Sequence, residues 1–583
     1  MHVSAIAICN YRNFAKLELS ELGGSLVVLG ENNAGKTNFL RAMQLVLDPG
    51  VPDRARQLDR DDFWSGCTAP MSGDEITIAI ELTGYQHDRR LKAALADCSV
   101  KQTPLTARMT YRFFPEREPD DEILGYAWII YGGSDEANEL RASRRREVAL
   151  SVLPALRDAE AALRSWRGSP LYELTRLLDI DREDLGAVAQ AVAEANDHLR
   201  ELQEIKDLEA RLAGQVTAMV GTNFAVDLDI GVAWPEPDEL LRMLRLLVEG
   251  GYPIQRTGTG PANVIYLALL LQRLRAQRSA HTLADAVLAI EEPEAHLHPH
   301  VQRVLFRYLI EHTALVVTTH SAHIASVSTL PSLVMLRDTG VGTVAQRAIS
   351  EDMTPQQITD LERYLDVNRA DILFARGVIL VEGAAERYFV PSAAKHNDID
   401  LDTWGISVCS VEGTDFTPYV LLLTALEIPY VVLTDGDPDE DGEYAGLLRG
   451  VRLLPSGDER SRAEQLLESE DQSAVDALLR EHGIFVNDST LELEYAKTAS
   501  EALQGAHDEF QTSLLRRRRM AAELRPSDDD EEQRKLEQRL LNRISEIGKG
   551  RFAQRAVAHL VSADQHPRDL IEAIRWLRER LKS

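Results

Sequence analysis

The segment Gly30-Glu31-Asn32-Asn33-Ala34-Gly35-Lys36-Thr37 constrains the fold of this chain more than any other feature. It has the form G-x-x-x-x-G-K-T, follows an apolar run from Ser25 to Leu29, and precedes a helix-like run from Phe39 to Leu47. A strand, a glycine-rich turn and a helix in this order form a phosphate loop, whose backbone N–H groups surround phosphate oxygens. The segment therefore predicts an α/β fold that binds ATP. The loop residues expected to contact ATP and its Mg²⁺ are Gly30, Asn32, Asn33, Gly35, Lys36 and, as a metal ligand through its hydroxyl, Thr37.

The second half of this ATP site is predicted far along the chain. The apolar run 286–290 ends in Glu291, which we expect to support Mg²⁺ through its water shell, and Glu292, which we expect to orient the attacking water. The run 316–319 ends in His320, which is placed to sense the γ-phosphate. A large insertion therefore separates the two halves of one ATP site.

Two further apolar runs end in carboxylates. Residues 378–381 lead into Glu382 and Glu386, and residues 430–433 lead into Asp435 and Asp437. Short runs of this kind are typical of buried parallel strands, and ligands of such sheets bind beyond the carboxyl ends of the strands. Carboxylate oxygens are the ligands that hard divalent cations prefer. The pair of acidic strand ends predicts a site for one or two Mg²⁺ or Mn²⁺ ions.

Composition places limits on the class of protein. The chain has 583 residues, which favours about four domain-sized units. It has no apolar run long enough to cross a membrane and no signal peptide at its N-terminus, and its four cysteines show no paired spacing. We therefore expect a cytoplasmic protein without a membrane partner. The net charge of −29 disfavours nucleic acid overall, but two arginine clusters, 141–146 and 516–519, are either solvated helix faces or local DNA contacts.

The segments between these motifs have coarser signals. Residues 155–250 look helical, and an apolar stripe from Leu199 to Met219 indicates either a helix packed on its own domain or a hairpin used for self-association. The alternating histidines 296, 298 and 300 are expected in a loop after a strand rather than in a metal site. Residues 340–370 are expected to be a connector, and the acidic run 526–532 is expected to be a solvated loop.

The order of the ATP-site motifs resembles that of ABC-type ATPases of the SMC, Rad50 and RecF group. The glycine-rich turn at 255–263, the Ile-Glu-Glu-Pro-Glu run at 290–294 and the opening Ile8 to Phe14 carry this resemblance. It implies paired ATPase heads, in which the turn completes the ATP site of a second subunit. The turn departs from the usual Leu-Ser-Gly-Gly form, and Glu291 stands where many relatives have Asp. The residues that the resemblance places in the partner's ATP site are Thr257, Gly258 and Gly260.

The later acidic motifs resemble the Toprim domain of topoisomerases, primases and certain nucleases. An ABC-type ATPase followed by a C-terminal Toprim domain is the layout of the OLD (overcoming lysogeny defect) nucleases, a family that includes the GajA subunit of the Gabija anti-phage system. Leu491 to Glu494 is similar to the family's later acidic motif, and Gly548 to Ala553 is similar to its C-terminal lysine motif. The resemblance implies that Glu492 and Glu494 add metal contacts to those of Glu382, Glu386, Asp435 and Asp437. It also implies that Lys549 stabilises charge on the cleaved phosphate.

These observations together predict the architecture and the activity. The expected domains are 1–154, the N-terminal ATPase lobe; 155–250, a helical dimerisation insertion; 251–370, the C-terminal ATPase lobe; and 371–583, the Toprim nuclease domain with helical additions. The expected function is an ATP-regulated, divalent-metal-dependent DNA endonuclease in anti-phage defence. The expected partners are DNA, further copies of the chain in a dimer or tetramer, and, in some members of the family, a UvrD-like helicase.

Two alternatives remain open. A RecF-like repair or recombination protein would bind DNA in an ATP-dependent manner without cutting it. A topoisomerase would need a tyrosine nucleophile near the Toprim site, where Tyr419, Tyr430 and Tyr444 are the nearby tyrosines in sequence, but none stands in a recognisable DNA-cleaving module.

Overall fold

The structure is a computed structural model that describes residues 1–118, 122–153, 170–178, 180–220, 230, 240–241, 244–248, 251–253, 258–280, 283–350, 352–365, 367–436 and 445–582. Its strands, numbered in chain order, are β1 (His2–Tyr11), β2 (Phe14–Leu19), β3 (Ser25–Gly30), β4 (Ile76–Thr83), β5 (Ser99–Gln102), β6 (Leu105–Arg117), β7 (Ile123–Gly132), β8 (Val148–Leu153), β9 (Leu247–Val248), β10 (Tyr252–Pro253), β11 (Asp285–Glu291), β12 (Leu315–Thr319), β13 (Leu333–Asp338), β14 (Thr343–Arg347), β15 (Gly377–Val381), β16 (Ile406–Ser410), β17 (Tyr430–Thr434) and β18 (Ile484–Val486).

The helices are numbered in the same way. The first twelve are α1 (Lys36–Leu47), α2 (Asp53–Arg56), α3 (Arg89–Ala94), α4 (Ala142–Arg145), α5 (Pro170–Arg176), α6 (Arg182–Arg200), α7 (Gln203–Val220), α8 (Thr259–Ser279), α9 (Pro299–His312), α10 (Ala322–Ala325), α11 (Pro355–Tyr364) and α12 (Val367–Ala370). The second twelve are α13 (Glu386–His396), α14 (Leu401–Trp404), α15 (Thr417–Ala425), α16 (Ala445–Leu453), α17 (Asp458–Glu468), α18 (Gln472–Glu481), α19 (Leu491–Thr498), α20 (Ser500–Phe510), α21 (Leu514–Glu523), α22 (Asp530–Ile547), α23 (Lys549–Ala556) and α24 (Arg568–Lys582).

The N-terminal half contains two large sheets. One is antiparallel, with β2, β1, β4, β6 and β5 in order and β7 also paired to β6. The other has the order β14-β13-β3-β12-β11-β8 and is parallel except for the β13–β14 pair. The strand β3 is central and buried along its whole length, as the continuous apolar run predicts. The phosphate loop therefore leaves the middle of the second sheet.

A third sheet forms the core of the C-terminal half. Its four strands are all parallel and have the order β16-β15-β17-β18. Of these four strands, β15 comes first along the chain, and in the sheet it lies between the second, β16, and the third, β17. This reversal of strand order creates a crevice between β15 and β17 at the carboxyl edge, which is where ligands of doubly wound sheets bind.

The two parallel sheets share one hydrophobic core. Side chains alternate across β3, so that Val27 and Leu29 face this core while Leu26 and Val28 face the antiparallel sheet. In β15, Val378 and Leu380 face the same shared core, whereas the neighbouring positions of the strand face a separate C-terminal core. The ATPase half and the Toprim half are therefore packed against each other through apolar side chains, and the predicted domain boundaries remain predictions.

The structure corrects two expectations and gives the helices that carry the apolar stripe. The expected connector at 340–370 contains β14, which pairs with β13 and extends the ATPase sheet, and the helix α11. The acidic run 526–532 is not all loop, because α22 begins within it. Asp529 caps this helix by accepting a hydrogen bond from the Glu532 N–H. The acidic residues that follow lie in the first helical turn, where the helix dipole favours negative charge. The apolar stripe begins at the end of α6 and continues along α7, and both interpretations of it remain predictions.

Candidate functional site

The phosphate loop is held in shape by its second glycine and by an asparagine that the motif does not include. Gly35 has a φ of 91°, and a Cβ at this position would lie 1.9 Å from the amide nitrogen of Asn13. The Asn13 amide donates to the Thr343 hydroxyl at 2.6 Å and accepts from the Asn38 amide at 2.7 Å. Asn13 therefore joins the loop to α1 and β14, and its position in the opening Ile8 to Phe14 segment was the available sequence signal.

The lysine and the threonine of the loop already have partners on the protein. The Lys36 ammonium group donates to the carbonyls of Gly30 at 3.0 Å and Glu31 at 2.9 Å. The Thr37 hydroxyl donates to the Glu291 carboxylate, which stands at the end of β11. The structure thus brings the predicted metal-binding hydroxyl and the predicted metal-supporting carboxylate together. The loop residues Asn32 and Asn33 are exposed at the mouth of the site.

The other half of the ATP site lies at the ends of β11 and β12. Glu292 has a φ of 43°, a left-handed conformation that is costly for this residue type and common at functional sites. Its carboxylate lies 3.6 Å from the His320 Nε2. Burial and the nearby Lys36 charge lower the pKa of His320, so its ring is neutral at pH 7. The neutral imidazole can therefore exchange one hydrogen bond with a terminal phosphate.

Glu294 is a buried residue beside the ATP site that sequence reasoning did not assign to it. One of its carboxylate oxygens accepts a hydrogen bond of 2.7 Å from the His320 backbone N–H. Burial raises the pKa of Glu294, and its second carboxylate oxygen is buried without a hydrogen-bond partner. Glu294 therefore fixes the loop that carries His320, and its place in the Ile-Glu-Glu-Pro-Glu run was the only signal.

The glycine-rich turn is only partly described. Thr257 lies outside the described residues. Gly258 is exposed with a φ of 78°, and nothing lies within 4 Å of a Cβ added there. Gly260 is in the first turn of α8, where a Cβ would lie 2.9 Å from the His296 carbonyl. The start of α8 therefore packs against the loop after β11, with an open surface beside it.

The acidic strand ends of the third sheet meet in its crevice. Because β15 and β17 are parallel neighbours in which Val381 pairs with Leu433, Glu382 follows one strand beside the point where Thr434 and Asp435 end the other. The Glu382 carboxylate accepts hydrogen bonds from the Thr434 hydroxyl at 2.5 Å and the Asp435 N–H at 2.9 Å. Arg449 reaches the same carboxylate at 3.4 Å and donates to the Asp435 carbonyl at 2.7 Å.

Two further carboxylates are buried beside Glu382. Burial, together with the charges of Glu382, Glu492 and Glu386, raises the pKa of Asp435 to about 8. Burial also raises the pKa of Glu386, helped by Glu492 and Glu382 and opposed by Lys549. Such mutual repulsion in a low-dielectric crevice is relieved when a cation binds.

The later acidic motif divides into two different environments. Glu492 is 2% exposed and lies 3.3 Å from the Lys549 ammonium group. Glu494 is turned roughly 200° around the same helix, where it accepts from the Ser489 hydroxyl at 2.6 Å and the Lys497 ammonium group at 2.8 Å. The structure therefore places Glu492 in the cluster and Glu494 beside it, with partners of its own.

Lys549 adds a positive charge to this cluster of carboxylates. It is the first residue of α23, and burial lowers its pKa less than Glu492, Asp435 and Glu386 raise it. The helix is seated by Gly550, where a Cβ would lie only 3.0 Å from the Ala384 Cβ. The helices α13, α19 and α23 all begin at this edge of the sheet, so their N-terminal dipoles favour an anion there.

The donor set of this crevice suits hard divalent cations. Its accessible ligands are carboxylate oxygens, and the Glu492 Oε1 is buried without a hydrogen-bond partner, 3.3 Å from the Lys549 ammonium group. Asp437, the remaining predicted ligand, lies outside the described residues. Within the described part of the chain, no three His, Cys, Asp or Glu side chains are arranged as a ready-made metal site.

Three residues of the crevice were missed by sequence reasoning. Thr434 and Arg449 hold Glu382, and Asn487 donates to the Asp435 carboxylate at 3.4 Å. Asp435 also accepts a 3.1 Å hydrogen bond from the Leu491 N–H at the start of α19. Asn487 follows the apolar run of β18, so a polar residue after a strand was a usable signal for it. Arg449 has no comparable signal.

A phosphate-loop ATPase sheet packed against a parallel sheet with an acidic carboxyl edge defines the class of an ATPase joined to a Toprim-type domain. Family profiles agree with this class. The profile "Overcoming lysogenization defect protein-like, TOPRIM domain" matches residues 373–437, and the profile "AAA ATPase domain" matches residues 174–325. These profiles imply nucleotide binding and the use of a divalent metal.

Individual relatives match over most of the chain. The OLD nuclease of Thermus scotoductus is 26% identical over 74% of this chain and 81% of its own length. The endonuclease GajA of Bacillus cereus is 22% identical over 78% of this chain and 79% of its own length. The solved C-terminal region of the Burkholderia pseudomallei OLD protein is 38% identical, covering 36% of this chain and 99% of that one, with a TM-score of 0.30. The chain belongs to the OLD family.

Proposed function

We propose that this protein is an ATP-regulated, divalent-metal-dependent DNA endonuclease that acts in anti-phage defence. The observation that carries the proposal is the convergence of Glu382, Glu386, Asp435 and Glu492 with Lys549 at the carboxyl edge of the third sheet. The relatives named as an OLD nuclease and as the endonuclease GajA support the same activity. The complete phosphate loop, with Glu292 and His320 beside it, supports regulation by ATP.

The residues of the crevice have separable tasks in phosphodiester hydrolysis. Glu382, Glu386, Asp435 and Glu492, with Asp437 and Glu494 as further candidates, would hold Mg²⁺ or Mn²⁺. When bound, such ions supply an activated water and neutralise charge on the leaving oxygen. Lys549 would bind a phosphate oxygen and offset the negative charge that develops on it. The three helix N-termini would orient the phosphate, and Arg449 would keep Glu382 at the strand end.

The residues of the ATP site have an equally specific division of tasks. Lys36 would leave the carbonyls of Gly30 and Glu31 to bind the outer phosphates. Thr37 and Glu291 would hold the Mg²⁺ of the nucleotide. Glu292 would orient the attacking water, and His320 would report the γ-phosphate.

The DNA-binding surface is expected to include arginines that contact the DNA backbone without reading its base sequence. Arg516, Arg518 and Arg519 on α21 are exposed, whereas Arg145 in the other arginine cluster is buried. The exposed three would bind DNA phosphates near the Toprim half. Their contribution would weaken as salt concentration rises, because phosphate contacts release counterions.

The proposal includes a dimer or a larger assembly such as a tetramer. Gly258 and Gly260 would face the phosphate loop of a second subunit, together with Thr257. The helix α7 exposes apolar side chains, with Leu208 at 38%, Leu212 at 39% and Met219 at 77%, which a second copy could cover. The named relatives lend no support to a helicase partner, so the proposal does not include one.

The proposal places the protein in the cytoplasm. All four cysteines lie in the described part of the chain and are free thiols, which suits a reducing compartment. Among the helices that the structure describes, none is both long enough and apolar enough to span a membrane.

The test is a plasmid-nicking assay with the full chain and Mg²⁺ or Mn²⁺, run with and without ATP. Wild-type protein should nick the plasmid, and Glu382→Ala and Asp435→Ala should abolish nicking. The matched control is Glu412→Ala, because Glu412 also follows a strand of this sheet but pairs with Arg369 at 3.0 Å. Nicking that persists in both site variants would show that the active site lies elsewhere.

The same assay separates the proposal from its rival. ATP-dependent DNA binding without cleavage under either metal would favour a RecF-like protein. The defence role is tested by plaque counts on cells that express wild-type or Glu382→Ala protein. Equal plaque counts for these two strains and for cells without the protein would remove the anti-phage part of the proposal.

A further inference from the structure

A cavity of about 650 Å³ lies between the phosphate loop and the Toprim half. Its walls include the first half of the loop, from Gly30 to Ala34, and His320 on the ATPase side. On the other side its walls include Arg376, Pro429 and Arg580. The volume is in the range of small-molecule sites, so the cavity can admit part of a nucleotide.

Three arginines surround this cavity. Arg337, at the end of β13, donates a hydrogen bond to the Glu427 carbonyl and so reaches across to the Toprim half. Arg376 directly precedes β15, and its side-chain stem packs on Gly405, where an added Cβ would lie 2.9 Å away. Arg580, in the last turn of α24, lies over the Trp576 ring at 4.5 Å.

The charges around the cavity favour an anion. Burial lowers the pKa of Arg337, and the neighbouring Arg376 charge lowers it further against the opposing effects of Glu427 and Glu31. Arg337 and Arg376 therefore repel each other at a half-buried boundary. A phosphate group placed between them and the phosphate loop would relieve this repulsion.

The location of the cavity indicates which part of a nucleotide would enter it. The backbone of a phosphate loop surrounds phosphate oxygens, and His320, which would report the γ-phosphate, lines the same cavity as the first half of the loop. The arginines are thus on the side of the γ-phosphate.

We propose that Arg376 and Arg580 of the Toprim half, together with Arg337, contact the terminal phosphate of a nucleoside triphosphate bound to the phosphate loop. The nucleotide site is then shared between the ATPase half and the Toprim half of one chain. This inference rests on the proposed function for the identity of the ligand. It adds the structural connection through which nucleotide binding affects the nuclease centre.

The route from the arginines to the nuclease centre is short. Arg376 is followed by the five residues of β15 and then by Glu382, a separation of about 20 Å along an extended strand. The last turn of α24 also touches the start of this strand, because a Cβ on Gly377 would lie 3.1 Å from the Leu581 Cδ1. Trp576, which carries Arg580 on its ring, packs against Gly483 before β18, where an added Cβ would lie 2.7 Å from the ring. A phosphate that shifts either arginine therefore displaces β15 or β18, the strands that position Glu382 and Asn487.

The experiment measures nucleotide affinity and the response of nicking to ATP in the full-length protein. Fluorescent ATP and ADP analogues are titrated against wild type, Arg376→Gln and Arg580→Gln, which keep part of the stem of each side chain. The expected result is a loss of at least about fivefold in affinity for the ATP analogue, with a smaller loss for the ADP analogue, because a charged hydrogen bond to the γ-phosphate is removed. The ratio of nicking rates with and without ATP should also move towards one.

The control is Arg568→Gln, on the same helix but 88% exposed and paired with Glu572. It should change neither affinity nor the ATP response. Lys36→Ala should lose both analogues, which confirms that the titration reports the phosphate loop. Thermal melting of each variant identifies a folding defect, and Arg580→Met, which keeps an apolar stem on Trp576, then replaces an unfolded Arg580→Gln.

The outcomes separate this inference from the proposed function. Wild-type ATP affinity and a wild-type ATP response in both arginine variants would overturn the inference. A wild-type protein that binds ATP but cuts no DNA would overturn the proposed function, while the affinity measurements would still decide the inference. A wild-type protein that binds neither analogue would overturn both.

Discussion

The Glu382 carboxylate accepts a 2.9 Å hydrogen bond from the backbone N–H of Asp435. The two residues are 53 positions apart in the chain, and they meet because their strands are parallel neighbours on either side of the point where strand order reverses. This contact joins the two acidic motifs into one crevice. It also fixes the distance between Glu382 and Asp435, and therefore the space in which both residues can bind one metal ion.

Glu492 and Glu494 should differ in their importance for cleavage. Glu492→Gln should reduce nicking by about 100-fold, because it removes a charge from the carboxylate cluster. Glu494→Gln should reduce nicking by no more than about tenfold, since Glu494 has Ser489 and Lys497 as partners outside the cluster. Initial nicking rates at saturating Mn²⁺ check this order, and equal losses in the two variants would contradict it.

Lys549→Met should reduce nicking by about 100-fold or more, because a positive charge aimed at the phosphate is removed. The change also leaves the buried Glu492 carboxylate without its partner, so the metal-free protein should melt at a lower temperature. Mn²⁺ should recover more of the melting temperature in this variant than in wild type. Differential scanning fluorimetry with and without Mn²⁺ measures both effects, and an unchanged melting temperature would argue against the ion pair.

Gly436→Ala should destabilise the Toprim half by about 1–3 kcal/mol. The added methyl would lie 2.3 Å from the Asn487 carbonyl, a distance that requires the backbone to move. Gly413→Ala is the matched control, because nothing lies within 4 Å of a Cβ there. Urea denaturation compares the two variants with wild type, and equal midpoints would show that the crevice tolerates the methyl group.

Glu292→Gln should reduce ATP hydrolysis by about 100-fold while ATP binding persists, because the group that orients water is lost and the phosphate loop is intact. The Glu292 carboxylate lies 3.6 Å from the His320 Nε2, on the side of the site where the γ-phosphate is expected. A steady-state phosphate-release assay and an ATP-binding titration measure the two properties. Loss of binding equal to that of Lys36→Ala would assign Glu292 a different task.

His566 should make the protein sensitive to acid. Its ring is buried between the Tyr495 hydroxyl at 2.7 Å and the His396 ring at 2.8 Å, and burial lowers its pKa to about 4. Because the folded pKa lies below the ordinary value of 6.5, the unfolded chain binds more protons between these values. The free energy of unfolding should therefore fall as the pH drops from 6.5 to about 4, by up to about 3 kcal/mol.

The measurement is urea denaturation at a series of pH values. His566→Gln should flatten the profile in this window, whereas His87→Gln, at an exposed loop position, should leave it unchanged. A wild-type slope that persists in His566→Gln would assign the acid sensitivity to other groups.

Local patterns were sufficient for the motif-bearing parts of the chain. The phosphate loop is recognisable because its glycines, lysine and threonine act within eight consecutive residues, as Gly35 and Lys36 show. The strands β3, β11, β12, β15 and β17 were predicted because each is a short apolar run, followed by the phosphate loop after β3 and by a polar residue after each of the other four. In such sheets the carboxyl ends share one edge, so the acidic ends of β15 and β17 were also expected to meet.

The sequence by itself thus determined the chemistry of the two sites: phosphate binding at Lys36 and a carboxylate cluster around Glu382 and Asp435. Only the tertiary structure decided which side chains complete them, since helix rotation buries Glu492 and turns Glu494 aside, and since Arg449 and Asn487 arrive from other elements. The structure also decided that the two halves share one core and that arginines of the Toprim half face the phosphate loop. These relationships depend on packing between distant segments, and the order of residues along the chain carries no local signal for them.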